Sequence, residues 1–248
     1  MNIIITKDYQ ELSEKACELI EQQVSKKPDS VLGLATGGSP LGTYQEMIKG
    51  FSSRGVNYEK VRTLNLDEYI GLDKNDSQSY HFFMKSHLFD YINVNADNTY
   101  IPNGKAPDLD TECELYEKLI EDIGPPDLQL LGVGQNGHIG FNEPGTSFES
   151  ETHIIDLEES TRQANARFFD SLEDVPKQAV TMGIRSILKS KRIVVIASGE
   201  RKAEAIRQML KEEPNENMPA SALKHHKHVT LIVDEKAYKK AGHGEETQ

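Results

Sequence analysis

Six short runs of apolar and β-branched residues recur along the chain, each separated from the next by a longer amphipathic or polar stretch. They are NIIIT at 2–6, SVLGLA at 30–35, VRTLNL at 61–66, DLQLLGVG at 127–134, RIVVIAS at 192–198 and VTLIV at 229–233. Runs this short and this apolar read as strands covered on both faces, which is the condition of a parallel sheet between helices. Between them, ELSEKACELIEQQVSKK repeats Leu12, Ala16, Leu19, Ile20 and Val24 along one helical face. SYHFFMKSHLFDYI does the same with Tyr80, Phe83, Met84, His87, Leu88 and Tyr91. The alternation predicts an α/β fold with a mainly parallel central sheet. No Pro/Gly/Ser linker, composition shift or repeat divides the sequence, so a single domain is expected over 1–240, with the polar tail at 241–248 disordered.

Composition narrows the function. A chain of 248 residues is long enough to bury about three quarters of its unfolded surface, so it needs no disulfide framework. Cys17 and Cys113 fall in helical patterns without metal-ligand spacing and read as free thiols of a reducing compartment. The formal charge of −12 disfavours nucleic acid and anionic membranes as partners. No apolar run approaches the length of a bilayer span, and MNIIITKDYQ lacks the basic region of a secretion signal; a cytoplasmic location is expected. A small anion remains a possible ligand if Arg, Lys and backbone N–H groups converge locally.

Open α/β sheets bind ligands beyond the carboxyl ends of their strands, and three such ends carry unusual residues. ATGGSP at 35–40 leaves a strand for the helical pattern LGTYQEMIK. Its glycines, the hydroxyls of Thr36 and Ser39 and the free N–H groups of a helix start suit a phosphate, although the Lys-Ser/Thr ending of a P-loop is missing. An ordinary strand-to-helix turn explains the same residues. LNLDEY places Asp67 and Glu68 at a strand end, where alternation sends only one carboxylate into the cleft, as a general base or as part of a solvated turn. GVGQNG at 132–137 matches the dinucleotide fingerprint GxGxxG, but Gly140, Pro144 and Gly145 follow where a helix would have to begin, so the match fails on context. The same loop carries His138 with Asn136, Asn142 and Glu143, an imidazole beside groups able to fix its tautomer. Arg162, Arg167, Arg201 and Lys202 are candidate phosphate contacts or plain surface charge. His225, His226 and His228 read as a surface turn, and His81 and His87 as packing residues.

Taken in order and spacing, ATGGSP, LNLDEYIGL, GVGQNGHIGFNEPGTSF, STRQANARFF, VPKQAVTMGI and SGERKAEA resemble the glucosamine-6-phosphate deaminase (isomerising) family over essentially the whole chain. The resemblance implies a modified Rossmann-like, three-layer α/β fold. It implies conversion of D-glucosamine 6-phosphate and water to D-fructose 6-phosphate and ammonia, in the catabolism of N-acetylglucosamine and related amino sugars, with no metal or organic cofactor. By position, Asp67 resembles the base that moves a proton from C2 to C1, His138 the acid/base that opens the pyranose ring, and Asn136 and Glu143 its partners. Thr36, Gly37, Gly38 and Ser39, with Arg167 and Lys202, correspond to the phosphate site, and the segment 157–177 to a mobile lid. Asn136 stands where many members have Asp, and Asn136→Asp is expected to shift the pH profile while retaining substantial activity. His153 and Ile155 stand where larger members have basic allosteric residues, so a monomer or small homo-oligomer without allosteric activation is expected. The alternatives are a 6-phosphogluconolactonase-type hydrolase, disfavoured by FNEP and LDEY, more distant ribose-5-phosphate isomerase-like chemistry, and a non-catalytic sugar-phosphate sensor, disfavoured by the presence of both Asp67 and His138.

Overall fold

The structure, a computed structural model, describes residues 1–242. All six apolar runs form strands: β1 (Asn2–Thr6), β2 (Val31–Leu34), β3 (Arg62–Asn65), β6 (Leu128–Gly132), β9 (Ile193–Ala197) and β10 (Val229–Asp234). With the two-residue β5 (Thr99–Tyr100) they build a seven-stranded, fully parallel sheet in the order β1-β10-β9-β6-β2-β3-β5. Helices cover both faces. On one side α1 (Tyr9–Lys26), α2 (Leu41–Arg54) and α3 (Tyr80–His87) pack Leu12, Ile20, Met47 and Met84 against Leu32, Leu130 and Ile196. On the other, α4 (Leu109–Ile123), α6 (Ile184–Leu188), α7 (Ala203–Lys211) and α8 (Glu235–Gly242) pack Ile120, Ile187, Ile206 and Ala237 against Leu64, Leu131 and Leu231. The expected three-layer fold is therefore present as one domain.

Local chemistry sets the helix ends. Asp8 caps α1 by accepting the Glu11 N–H at 2.9 Å, while the Glu11 carboxylate accepts the Lys7 N–H, much as in a capping box. The first two residues of the expected tail belong to α8, whose Ala241 is buried against α7 and the sheet, and the apolar contact extends the helix that far. Residues 243–248, the remainder of that tail, lie outside the described residues.

The sequence patterns do not reveal a second, antiparallel sheet of β4 (Asp67–Tyr69), β8 (Gln178–Thr181) and β7 (His153–Asp156). Leu66 is where the chain passes from one sheet to the other. Its N–H donates to Leu34 O of β2 at 3.2 Å, and its carbonyl accepts the Met182 N–H, just after β8, at 2.7 Å. Between β7 and β8 lies a flap containing α5 (Glu159–Asn165) and a 3₁₀ turn at Ala166–Phe168. The Leu157 N–H bonds to Lys177 O at 2.8 Å and closes the base of the flap.

Candidate active site

Strand order reverses direction between β2 and β6, so the loops leaving their carboxyl ends face one crevice, the usual ligand position of such sheets. The first loop, 35–40, turns at Gly37 with φ +84° and enters α2. Gly38 does not share that conformation; its lack of a side chain serves close approach instead, because Arg167 Nη2 lies 3.0 Å from where a Cβ would be. Tyr9 of α1 braces the loop, its hydroxyl placed against Gly38 O and Ser39 O and accepting the Gly42 N–H at 2.8 Å. Lys202, in the 3₁₀ turn before α7, adjoins Arg167. Burial and the Arg167 charge push its ammonium down to about 8, and among the described residues no carboxylate offsets the two cations. A turn with free N–H groups, two hydroxyls and two uncompensated cations is suited to a phosphate.

Asp67 opens β4 at the carboxyl end of the parallel sheet and is only 5% exposed. Glu68 points the other way, as strand alternation requires. It is fixed by the backbone N–H groups of Tyr69, Tyr80 and His81 and by His81 Nδ1 at 2.9 Å, so His81 is a hydrogen-bonding partner of this carboxylate rather than a packing residue. Among the described residues no donor reaches the Asp67 carboxylate. Burial, helped by the negative charge of Glu68, raises it to about 8. A carboxylate so desolvated is a stronger base than one in water.

The third loop, after β6, contains no helix until α5, which removes the dinucleotide reading. Gly134 is there because the His138 imidazole lies over it: a Cβ would meet Cε1 and Nδ1 at 2.5 Å. Gly140 carries the loop over the base, the place of its missing Cβ being 3.1 Å from Thr181 Oγ1 and 3.4 Å from Asp67 Oδ2. His138 Nδ1 lies 3.5 Å from Glu143 Oε2. Burial opposes the charge on Glu143, but hydrogen bonds from His138, Thr161 and Asn136, with the imidazole charge, hold its carboxyl below the usual range.

Several candidates take other roles. The Asn136 side chain makes no hydrogen bond to the imidazole ring; its amide donates to Glu143 Oε2 at 2.8 Å, and its oxygen accepts the His138 backbone N–H at 3.2 Å. Asn142 is fully buried and holds the loop to Ile139 O and Met182 O. Arg162 is spent inside the flap on Leu172 O and Val175 O, and Arg201 is exposed beside Lys202. His226 is occupied by Ser190 O and the His228 N–H, and the described residues contain no group of three or more His, Cys, Asp or Glu able to hold a metal ion. Cys17 and Cys113 are free and buried. The sequence reading missed Glu158 and Thr161 of the flap, whose side chains reach Asn136 at 3.0 Å and His138 Nδ1 at 3.4 Å. Their only signal was a polar cluster at the start of a helical pattern.

Comparison with known proteins identifies the family. A family model for glucosamine-6-phosphate isomerases and 6-phosphogluconolactonase matches residues 7–232. A glucosamine-6-phosphate deaminase of Bacillus velezensis is 53% identical over 237 residues, 96% of this chain and 98% of that protein. The solved structure of a monomeric glucosamine-6-phosphate deaminase superposes with a TM-score of 0.96 at 49% identity, covering 97% of this chain and all of the other. A 6-phosphogluconolactonase from Trypanosoma cruzi, 20% identical with a TM-score of 0.73 over 97% of each chain, shares the fold. With a near-complete match at about half identity to deaminases and only the fold in common with the lactonase, the chain belongs to the glucosamine-6-phosphate deaminase family.

Proposed function

We propose that this protein converts D-glucosamine 6-phosphate and water to D-fructose 6-phosphate and ammonia, as a cytoplasmic enzyme of amino-sugar catabolism. The observation that carries the reading is the unpaired, buried Asp67 carboxylate beneath Gly140 of the loop that presents His138. A base for a carbon acid and an acid/base for ring opening thus share one mouth with a phosphate cradle. The phosphate is held by Thr36, Gly37, Gly38 and Ser39 and clamped by Arg167 and Lys202. His138, backed by Glu143, moves the proton from the C1 hydroxyl to the ring oxygen and frees the open-chain aldehyde. Asp67 then takes the C2 proton, giving an enolamine, and returns a proton to C1. The resulting C2 imine adds water and expels ammonia. Anchoring the distant phosphate orients C1 and C2 at the base, so binding energy contributes to the chemical step.

The test follows both products from purified protein and glucosamine 6-phosphate. Equal amounts of ammonia and fructose 6-phosphate are expected; neither product, with hydrolysis of a 6-phosphogluconolactone instead, would overturn the reading.

The two shifted groups give a pH prediction. Productive encounter needs Asp67 ionised and Lys202 protonated, and both titrate at about 8 in the free protein. Lowering the pH protonates the base and raising it discharges the clamp, so kcat/KM describes a narrow bell with its maximum near that value. Lys202→Arg keeps its charge and should extend the alkaline limb, a difference from which titration of the substrate itself cancels. An unchanged limb would remove Lys202 from the clamp.

We further propose that the flap is a lid. It carries Arg167, its base is pinned by the Leu157–Lys177 bond, and Phe169 packs edge-on against Tyr69 with ring centroids 5.7 Å apart. Substrate should therefore slow amide exchange across 158–176; identical protection with and without it would show that nothing closes.

A further inference from the structure

The flap reaches the ring-opening histidine through one closed circuit of hydrogen bonds. The Glu158 backbone N–H donates to Glu143 Oε1 at 3.2 Å. The Glu158 carboxylate, through Oε2, accepts from Asn136 Nδ2 at 3.0 Å, and the same Nδ2 donates to Glu143 Oε2 at 2.8 Å. Ser160 Oγ donates to Glu158 Oε2 as well, at 3.2 Å. Both hydrogens of the Asn136 amide are thus used, one for each carboxylate, and its oxygen faces a backbone N–H. The orientation of the amide follows from these partners, since carboxylates accept only and an N–H donates only. Glu143 Oε2 in turn faces His138 Nδ1, to which the flap's Thr161 also extends.

We propose that Glu158 is a positioning residue for ring opening, matched to the amide at 136: the two align Glu143, and through it His138, when the flap is seated. The amide is the device that lets two carboxylates approach. An aspartate at 136 has no hydrogen to give and would place three carboxylates around one point, a like-charge cluster that turns Glu143 from the imidazole. That geometry revises the expectation that Asn136→Asp is well tolerated. The Asn136 amide nitrogen faces the carboxylates of Glu143 and Glu158.

The inference rests on the deaminase reading, and its test keeps the two apart. Wild-type enzyme and variants are assayed for kcat and KM with glucosamine 6-phosphate, and for the inhibition constant of the open-chain 2-amino-2-deoxyglucitol 6-phosphate, which needs no ring opening. Glu158→Ala is expected to lower kcat about tenfold, and Asn136→Asp at least about tenfold, with the open-chain inhibitor binding within about twofold of wild type. Adding Glu158→Gln to Asn136→Asp restores donors between the carboxylates and should recover most of the lost kcat, a coupling opposite in sign to additive damage. An unchanged kcat in Glu158→Ala, a double variant as poor as the product of its singles, or an equal loss of open-chain inhibitor affinity would each overturn the proposal. A wild-type enzyme that releases no ammonia would instead overturn the functional reading beneath it. Glu158 is exposed, so its alanine variant tests the idea even if Asn136→Asp fails to fold.

Discussion

Replacing Asp67 with asparagine is expected to abolish deamination, by about three to four orders of magnitude in kcat, while making the protein more stable. The catalytic half follows from the chemistry. Among the described residues no other carboxylate is placed to move the proton: Glu68 is turned away and tied to four donors, and Glu143 is committed to the histidine. Run in heavy water, the wild type should deliver deuterium to C1 of fructose 6-phosphate, and the variant should deliver none. Retained exchange at C1 would assign the base elsewhere. The stability half follows from the burial that raises Asp67 to about 8. In the unfolded chain the group titrates near 3.8, so between these values the native state holds a proton that the unfolded state has released, and stability falls as pH rises across that window. Asparagine carries no such penalty. The gain in melting temperature should grow from pH 4 to pH 8 and then level off, reflecting roughly 1.4 kcal/mol per pH unit at most. A variant that is less stable than wild type at pH 8 would contradict burial as the origin of the shift.

Gly134→Ala is the second large effect, and it replaces no titratable group. A methyl at that position would sit 2.5 Å from the imidazole, well inside contact distance, so His138 must leave its place over the loop. Ring opening should slow by about a hundredfold or more. The phosphate cradle lies on other loops, so affinity for the open-chain analogue should hold. Gly134 does not occupy the left-handed region, and alanine is therefore acceptable to its backbone. A folded Gly134→Ala protein with normal kcat would show that the imidazole can do its work from another position.

That glycine also shows where sequence reasoning succeeds and where it stops. The pattern GVGQNG was visible, and the residues after it excluded a helix, but what the middle glycine makes room for depends on a side chain four positions on folding back over it. The parallel sheet was legible because each of its main strands falls on one of the six short apolar and β-branched runs. The small sheet was not. DEY, HIID and QAVT are too short and too polar to show a period, and they become strands only by pairing with one another, DEY with QAVT across more than a hundred residues of chain. The site divides in the same way. Asp67 and His138 stood out as chemistry at strand ends, and Arg167 and Lys202 rose above surface charge through the resemblance. Glu158 and Thr161 could not be found, because their contacts are 22 and 23 residues away and belong to a flap whose placement is tertiary.

The pairing of β1 with β10 has a bearing on how the chain is made. Thr6 finds its carbonyl partner 227 residues downstream at Val233, so the strand of three consecutive isoleucines has no neighbour until the sheet is almost complete. At about 5–20 residues per second, that neighbour leaves the ribosome roughly 10–50 s later. During that interval Ile3, Ile4 and Ile5 are an unclaimed adhesive segment, and its protection falls to chaperones and to the speed of translation. Slowing synthesis of the stretch from β9 to β10 should therefore lower the soluble yield more than it lowers the activity of what is recovered.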